Sequence, residues 1–154
     1  GNLLIVVHTY GSHSTYSDRY ERHQAHFTPD VALKATRENR DILMNAYDNT
    51  IVYTDYLIHS VIEVLRKVND RSCCMLYVSD HGESLGENNL YMHGVPMSMA
   101  PAEQVEIPFI VWDSDDSTTV KPLEKVSQYH VFHSIMNFMG VDSPIYNEDL
   151  NIFE

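Results

Sequence analysis

Two short segments contain the residue types that bind metal ions: Asp80-His81-Gly82 and, twelve residues after the first histidine, His93. An aspartate supplies a hard oxygen ligand and a histidine a borderline nitrogen ligand, a mixture that zinc and similar divalent ions accept. In a strand the side chains of Asp80 and His81 would point apart, but a turn, which Gly82 permits, lets both reach one ion. The residue types and their spacing therefore indicate a divalent-metal site containing Asp80 and His81.

A second pair of histidines, His8 and His13, follows an apolar segment near the start of the chain. Residues 2–7 are rich in β-branched side chains, which predicts a strand buried on both faces. In open α/β sheets ligands bind beyond the carboxyl ends of the strands, so parallel strands would gather all these histidines around one cleft. Zinc takes about four ligands, and we expect the others to come from His8, His13, His93 or residues outside the chain. For His8, a hydrogen bond to the backbone is an alternative.

The elements that would position these residues alternate between strands and helices. In chain order we predict strand 2–7, loop 8–35, helix 36–68, strand 73–78, strand 107–112, helix 126–139 and a surface tail at 141–154. The first helix is recognised by apolar residues at three-to-four spacing, and Gly140 ends the second. This alternation predicts an α/β fold with a parallel sheet. Because three strands make a thin sheet, we expect more sheet upstream of Gly1.

Composition excludes several classes of protein. The 154 residues are 44% hydrophobic and 21% charged, a globular balance. Ten basic residues against 22 acidic ones give a net charge of −12, which argues against nucleic acid as a partner. The apolar runs are too short to span a bilayer. The two cysteines, Cys73 and Cys74, are adjacent, so a disulfide between them would be strained, and we predict free thiols.

Several motifs together resemble one known family. Residues 78–88, VSDHGESLGEN, and 90–96, LYMHGVP, are similar to the signature of bacterial phosphoethanolamine transferases, which belong to the sulfatase and alkaline-phosphatase-like superfamily. Further matching stretches are HTYGSH at 8–13, Arg19-Tyr20, FTP at 27–29, YDNTIVYTDY at 47–56 and FHS at 132–134. The resemblance covers nearly the whole chain. It implies a parallel-sheet α/β sandwich of the alkaline-phosphatase/sulfatase type, with residues 1–154 forming the C-terminal part of a catalytic domain. The upstream half and a membrane region would lie outside this chain.

The resemblance also implies a reaction and residue roles. A threonine upstream of this chain would take phosphoethanolamine from phosphatidylethanolamine and pass it to lipid A or another surface glycan, at the periplasmic face of the inner membrane. Asp80 and His81 match two zinc ligands. His13 and His93 match histidines that line the site and bind substrate or a second zinc, and we predict catalytic roles for both. His8 is a further candidate for substrate binding. Alone, this part of the protein would hold metal weakly and lack transferase activity.

Other interpretations stay open at this point. The same Asp-His pair would serve a sulfatase or a phosphodiesterase-type hydrolase. A catalytically inactive module that binds a metal or a partner would also retain the fold. The disulfides common among lipid A-modifying relatives are missing here, which leaves the acceptor open. Glu83 and Glu87 are either partners that orient the metal ligands or solvated loop carboxylates.

Overall fold

One long helix organises the first half of the chain. The computed structural model describes residues 1–32, 34–116 and 118–154. Helix α1 is Arg40–Leu65, preceded by a 3-10 turn at Arg37–Asn39, and so lies inside the predicted range 36–68. Leu43 and Ala46 on its buried face pack around Tyr16 in the core, with Tyr47 and Leu85 at the edge. No helix in the described part of the chain is both long enough and apolar enough to cross a membrane.

The two longest strands pair with each other. Strand β1 is Cys74–Val78, and after the short elements β2 (Ser84–Leu85), β3 (Tyr91–Met92) and α2 (Ala102–Val105), strand β4 is Phe109–Asp113. Both β1 and β4 were predicted, but they pair antiparallel, whereas the alternation of elements predicts parallel strands. The physical reason is the connection between the strands. The chain leaves β1 after Val78 and enters β4 beside that same end of β1, where Ser79 N donates to Pro108 O at 3.5 Å, so the two strands run in opposite directions.

The strand predicted at residues 2–7 is wrong for this structure. Residues 1–10 contain no strand, and the side chains of Leu3 and Val6 are 70% and 79% exposed. A strand needs a neighbour to pair its backbone groups, and no described residue pairs with this segment. Its only described side-chain hydrogen bond runs from Asn2 Nδ2 to Met139 O, at 2.8 Å.

The predicted surface tail at 141–154 is largely exposed through residue 150, but residues 151–153 near its end are buried. Helix α3 is Tyr129–Phe138, shorter than the predicted 126–139. Beyond it, Ile152 and Phe153 are only 1% and 4% exposed. The buried hydroxyl of Ser134 accepts a hydrogen bond from Ile152 N at 3.1 Å, which fastens the tail to α3. The apolar pair Ile152-Phe153 at the end of the chain is therefore core.

The prediction of free thiols is confirmed, since Cys73 and Cys74 form no disulfide. Burial raises the pKa of the Cys74 thiol to about 11, so this group is a protonated, unreactive side chain at neutral pH.

Candidate metal centre

A small hairpin brings Glu83 opposite His93. Strands β2 and β3 pair antiparallel with Ser84 opposite Met92 and Leu85 opposite Tyr91. One step further along this register, Glu83 faces His93, and residues opposite each other in an antiparallel pair lie close together. His93 Nδ1 and Glu83 Oε1 are in direct hydrogen-bond contact. The two groups, ten positions apart in sequence, therefore meet because of strand pairing.

The turn between β1 and β2 requires glycine at position 82. Gly82 N donates to Gln104 O at 3.0 Å, which places the turn directly on α2. A Cβ atom at this position would lie 2.0 Å from the backbone oxygen of Glu103, a distance no side chain can take. Gly82 thus allows the close approach of two backbones, and the residues on either side of it, His81 and Glu83, come within 3.8 Å of each other, measured from Nδ1 to Oε1.

Asp80 and His81, the predicted metal pair, lie side by side. Asp80 Oδ2 is 3.8 Å from His81 Nε2. His81 Nδ1 is 3.0 Å from Gly82 O, so we assign its proton to that hydrogen bond, which leaves the Nε2 lone pair turned toward Asp80. Gln128, just before α3, donates to the backbone oxygens of Ser79 and Asp80 at 3.0 and 2.6 Å and so fixes the end of β1.

The donor set fits a divalent cation. The rings of His81 and His93 lie 3.7 Å apart between centroids at an angle of 35°. Ligand atoms of His81, Glu83 and His93 all lie within 4.8 Å of one another. Nitrogen and oxygen ligands of a tetrahedral zinc ion, with bond lengths of about 2.0 to 2.2 Å, lie about 3.3 to 3.5 Å apart, so small side-chain movements would bring this group around an ion. Two imidazoles and a carboxylate, with Asp80 beside them, are the mixture that zinc accepts.

Glu83 is held by a buried tyrosine. Glu83 is 8% exposed, and its Oε2 accepts a hydrogen bond of 2.6 Å from the hydroxyl of Tyr16. Burial raises the pKa of Tyr16 well above its usual value, and the hydrogen bond to Glu83 and the negative charge of that carboxylate raise it further. Tyr16 is therefore a neutral hydroxyl donor at any physiological pH. Among the described residues, no lysine or arginine forms an ion pair with Glu83.

The other two predicted site histidines lie outside this cluster of contacts. His13 is exposed and its Nδ1 contacts Ser14 O at 2.6 Å. Ser14 and Met92 line one cavity of about 160 Å³, so the loop that carries His13 runs beside the hairpin that carries His93. His8 is exposed. In the described part of the chain, no hydrogen bond or ion pair joins His8 or His13 to Glu83 or its histidines, and their roles stay predictions.

Sequence reasoning left the role of Glu83 open and missed Tyr16. The signal for Glu83 was the short pattern around the turn at 86–89, Gly-Glu-Asn-Asn, where Gly86 has φ +114°. The hairpin is centred on Asn88, where Gly86 N donates to Leu90 O at 2.8 Å, and this register places residue 83 opposite residue 93. Tyr16 has no local signal, because it reaches Glu83 across 67 positions of sequence.

Comparison with known proteins identifies the class. The sulfatase family pattern matches residues 1–141, and the chain belongs to this family. It is similar to the phosphoethanolamine transferase EptA of Escherichia coli K12, with 36% identity over 160 residues that cover 95% of this chain and 29% of that protein. The chain therefore spans less than a third of the length of this curated relative.

Solved structures of similar proteins agree with this placement. The soluble domain of lipooligosaccharide phosphoethanolamine transferase A from Neisseria meningitidis matches with a TM-score of 0.86 and 34% identity, covering 95% of this chain and 48% of that one. The C-terminal periplasmic domain of phosphoethanolamine transferase EptC from Campylobacter jejuni matches with a TM-score of 0.82 and 34% identity, over 92% of this chain and 48% of that one. The predicted α/β fold of the sulfatase type, present as part of a domain, is confirmed.

Proposed function

We propose that the intact protein is a zinc-dependent phosphoethanolamine transferase, in which residues 1–154 form the C-terminal part of the catalytic domain. The observation that carries the proposal is the convergence of His81, Glu83 and His93 within 4.8 Å, with Asp80 beside His81. The proteins it resembles are named for phosphoethanolamine transfer, which supports this reaction over sulfate ester or phosphodiester hydrolysis.

The proposed donor is phosphatidylethanolamine and the proposed acceptor is lipid A or another surface glycan. A threonine oxygen outside this chain attacks the donor phosphorus, and the diacylglycerol oxygen leaves and takes up a proton. An acceptor oxygen then displaces the threonine and receives the phosphoethanolamine group. The relative from Neisseria meningitidis is named for lipooligosaccharide, which supports a lipid-linked acceptor.

The metal ligands of the proposed site are Asp80 and His81, joined by Glu83 and by a further acidic residue outside the chain. Bound zinc supplies positive charge that offsets the charge of the phosphodiester and favours attack by an alkoxide. Asp80 and His81 hold their positions because the turn at Gly82 packs against α2.

The remaining histidines would handle the substrate. His93 Nδ1 is occupied by Glu83, which leaves Nε2 to donate to or accept from the leaving or incoming oxygen, since imidazole exchanges protons near neutral pH. We assign His13 to a phosphate oxygen, and His8 to a substrate contact at the edge of the same cleft. Both side chains are exposed, as a substrate contact requires.

The proposed location is the periplasmic face of the bacterial inner membrane, with membrane contact through segments outside these 154 residues. The support is the solved relative from Campylobacter jejuni, which is a C-terminal periplasmic domain. Nucleic acid is not a proposed partner, because the net charge of −12 opposes phosphate-backbone binding.

The test is a transfer assay with the intact protein, phosphatidylethanolamine and lipid A, read by mass spectrometry. We expect lipid A to gain one phosphoethanolamine group and a threonine adduct to accumulate when the acceptor is left out. His93→Ala and His13→Ala should lose transfer, while His59→Ala, an exposed histidine on α1, should retain it. Wild-type rates for both site variants would remove the assigned roles. Release of phosphoethanolamine to water, with no transfer to lipid A, would establish a hydrolase instead.

A further inference from the structure

Tyr16 joins the core of the molecule to the candidate metal centre. It is 3% exposed, and its ring packs edge-on against Tyr47 of α1 with centroids 5.2 Å apart. Leu43 and Ala46 of the same helix complete this packing. The hydroxyl group emerges from the core on the side of the hairpin, where it donates to Glu83. A rigid helix thus determines where this hydroxyl lies.

The two oxygens of Glu83 have different partners. Oε2 accepts from Tyr16 at 2.6 Å. Oε1 contacts His93 Nδ1 and lies 3.8 Å from His81 Nδ1. A glutamate side chain has three rotatable bonds, and a free one would present either oxygen to the histidines. With Oε2 bound to Tyr16, the carboxylate plane is fixed and Oε1 alone faces the two rings.

The partner of Glu83 is a neutral donor. Among the described residues, Glu83 forms ion pairs only with the two histidines. A lysine or arginine in place of Tyr16 would fix the carboxylate but would also neutralise it and oppose a cation. A hydroxyl fixes the carboxylate through one hydrogen bond and leaves its negative charge available to an ion.

We propose that Tyr16 is a positioning residue for the metal site: its hydroxyl holds Glu83 so that Oε1 is presented as a ligand beside His81 and His93. This inference rests on the proposed function, since it needs a divalent ion at that cluster. Residues that orient metal ligands through hydrogen bonds change metal affinity by about 10- to 100-fold when they are removed.

The test is the zinc affinity of the intact protein carrying Tyr16→Phe, measured by competition with a chromophoric chelator. We expect the dissociation constant to rise about 10- to 100-fold. The visible spectrum of the cobalt(II)-substituted protein should also change, because that spectrum reports the ligands and geometry of the ion. Melting of the metal-free protein checks that the variant folds. Tyr16→Met, which also lacks the hydroxyl but fills the space flexibly, should give the same loss.

The chain offers a matched control in Tyr20→Phe. Tyr20 is 6% exposed, and its hydroxyl donates to a buried carboxylate, Asp30 Oδ2, at 2.5 Å. This variant loses the same kind of hydrogen bond from the same loop, but Asp30 contacts no histidine of the cluster in the described structure. We expect its zinc affinity and cobalt spectrum to remain those of the wild type.

The outcomes separate the inference from the proposed function. Wild-type affinity and spectrum in Tyr16→Phe would overturn the positioning role while leaving the metal site in place. Equal losses in Tyr16→Phe and Tyr20→Phe would also overturn it, because they would show a general loosening of the loop. A wild-type protein that binds no zinc would overturn the proposed function and this inference with it.

Discussion

Glu83 and Asp30 are two buried carboxylates in similar surroundings, with different partners. Each accepts a hydrogen bond from a buried tyrosine hydroxyl: Tyr16 at 2.6 Å for Glu83 and Tyr20 at 2.5 Å for Asp30. Both oxygens of Asp30 also accept from the guanidinium of Arg22 at 2.8 Å. Glu83 faces two imidazole rings instead.

The difference decides what each carboxylate can do. The hydrogen bonds from Arg22 hold the pKa of Asp30 below its usual value, since they satisfy the charged form. Asp30 has its hydrogen-bond donors and its positive partner within the chain, and it stabilises the fold. Glu83 has no such cation among the described residues, so its charge and one of its oxygens remain for a metal ion. A buried carboxylate without an arginine or lysine partner is costly, and the proposed ion would supply the positive charge that Arg22 supplies to Asp30.

The network around Asp30 has a clear structural purpose. Asn49 of α1 is fully buried and accepts from His26 N and Phe27 N at 2.8 and 2.9 Å. Its amide also donates to Asp30 Oδ2 at 3.3 Å. These bonds fasten the loop that contains Asp30 to α1, and the same loop carries Tyr16. Asp30 therefore helps to hold in place the loop from which Tyr16 reaches Glu83.

The largest effect is expected for Glu83→Gln. This change removes the negative ligand and keeps the size of the side chain, so zinc affinity should fall by at least about 100-fold. Isothermal titration or chelator competition on the intact protein measures it. Glu103→Gln, which alters an exposed carboxylate on the neighbouring α2, is the control and should bind zinc as the wild type does. A Glu83→Gln protein with wild-type affinity would remove the distinction between the two carboxylates.

Arg22→Gln should affect stability alone. It leaves the Asp30 charge with only tyrosine and amide donors, so the free energy of unfolding should fall. Urea denaturation gives this value, and zinc affinity should not change. If zinc binding weakened as much as in Glu83→Gln, the Asp30 network and the candidate metal centre around Glu83 would not be energetically independent.

The contribution of Arg22 should depend on pH in a defined direction. The folded state holds the pKa of Asp30 below its ordinary value of 3.8, so this stabilisation is present above that value and is lost as the pH falls through the folded pKa. The difference in unfolding free energy between wild type and Arg22→Gln should therefore shrink in urea titrations repeated from pH 7 down to pH 3. A difference that stayed constant over this range would mean that Asp30 is not the partner that matters.

The smallest effect is expected for Arg40→Gln. Arg40 pairs with Glu87 in the hairpin turn at 3.2 Å, and both side chains are partly exposed, at 39% and 27%. Such pairs contribute less than about 1 kcal/mol. Denaturation should show a loss below that value, with zinc affinity unchanged. A large loss of zinc affinity would show that the turn, and not only the register of β2 and β3, sets the position of Glu83.

Much of the fold could be predicted because its main elements carry local signals. The three-to-four spacing of α1 and the short apolar runs of β1 and β4 are patterns that a few neighbouring residues define. The antiparallel pairing of β1 with β4 depends on where a 30-residue connection returns, which no local pattern records. The segment 2–7 has the composition of a strand but no described partner, and the buried pair Ile152-Phe153 lies in a stretch without periodicity.

The candidate site was predictable to the extent that it depends on residue type. Asp80, His81 and His93 stood out as metal-ligand types at strand ends and turns, and the structure places them near one another. Glu83 needed the register of two strands of only two residues each, too short for any periodic signal. Tyr16 needed the packing of a distant loop on α1, which is a tertiary property.

The most direct test of the metal site is diffraction from crystals of the intact protein grown with zinc, recorded at the zinc absorption edge. An anomalous peak bounded by His81, Glu83 and His93 or by Asp80 and His81, and missing or weakened in Glu83→Gln crystals, is the predicted result. A zinc-loaded crystal with its peak elsewhere, or with the same peak in both proteins, would contradict the assignment of Glu83 to the metal.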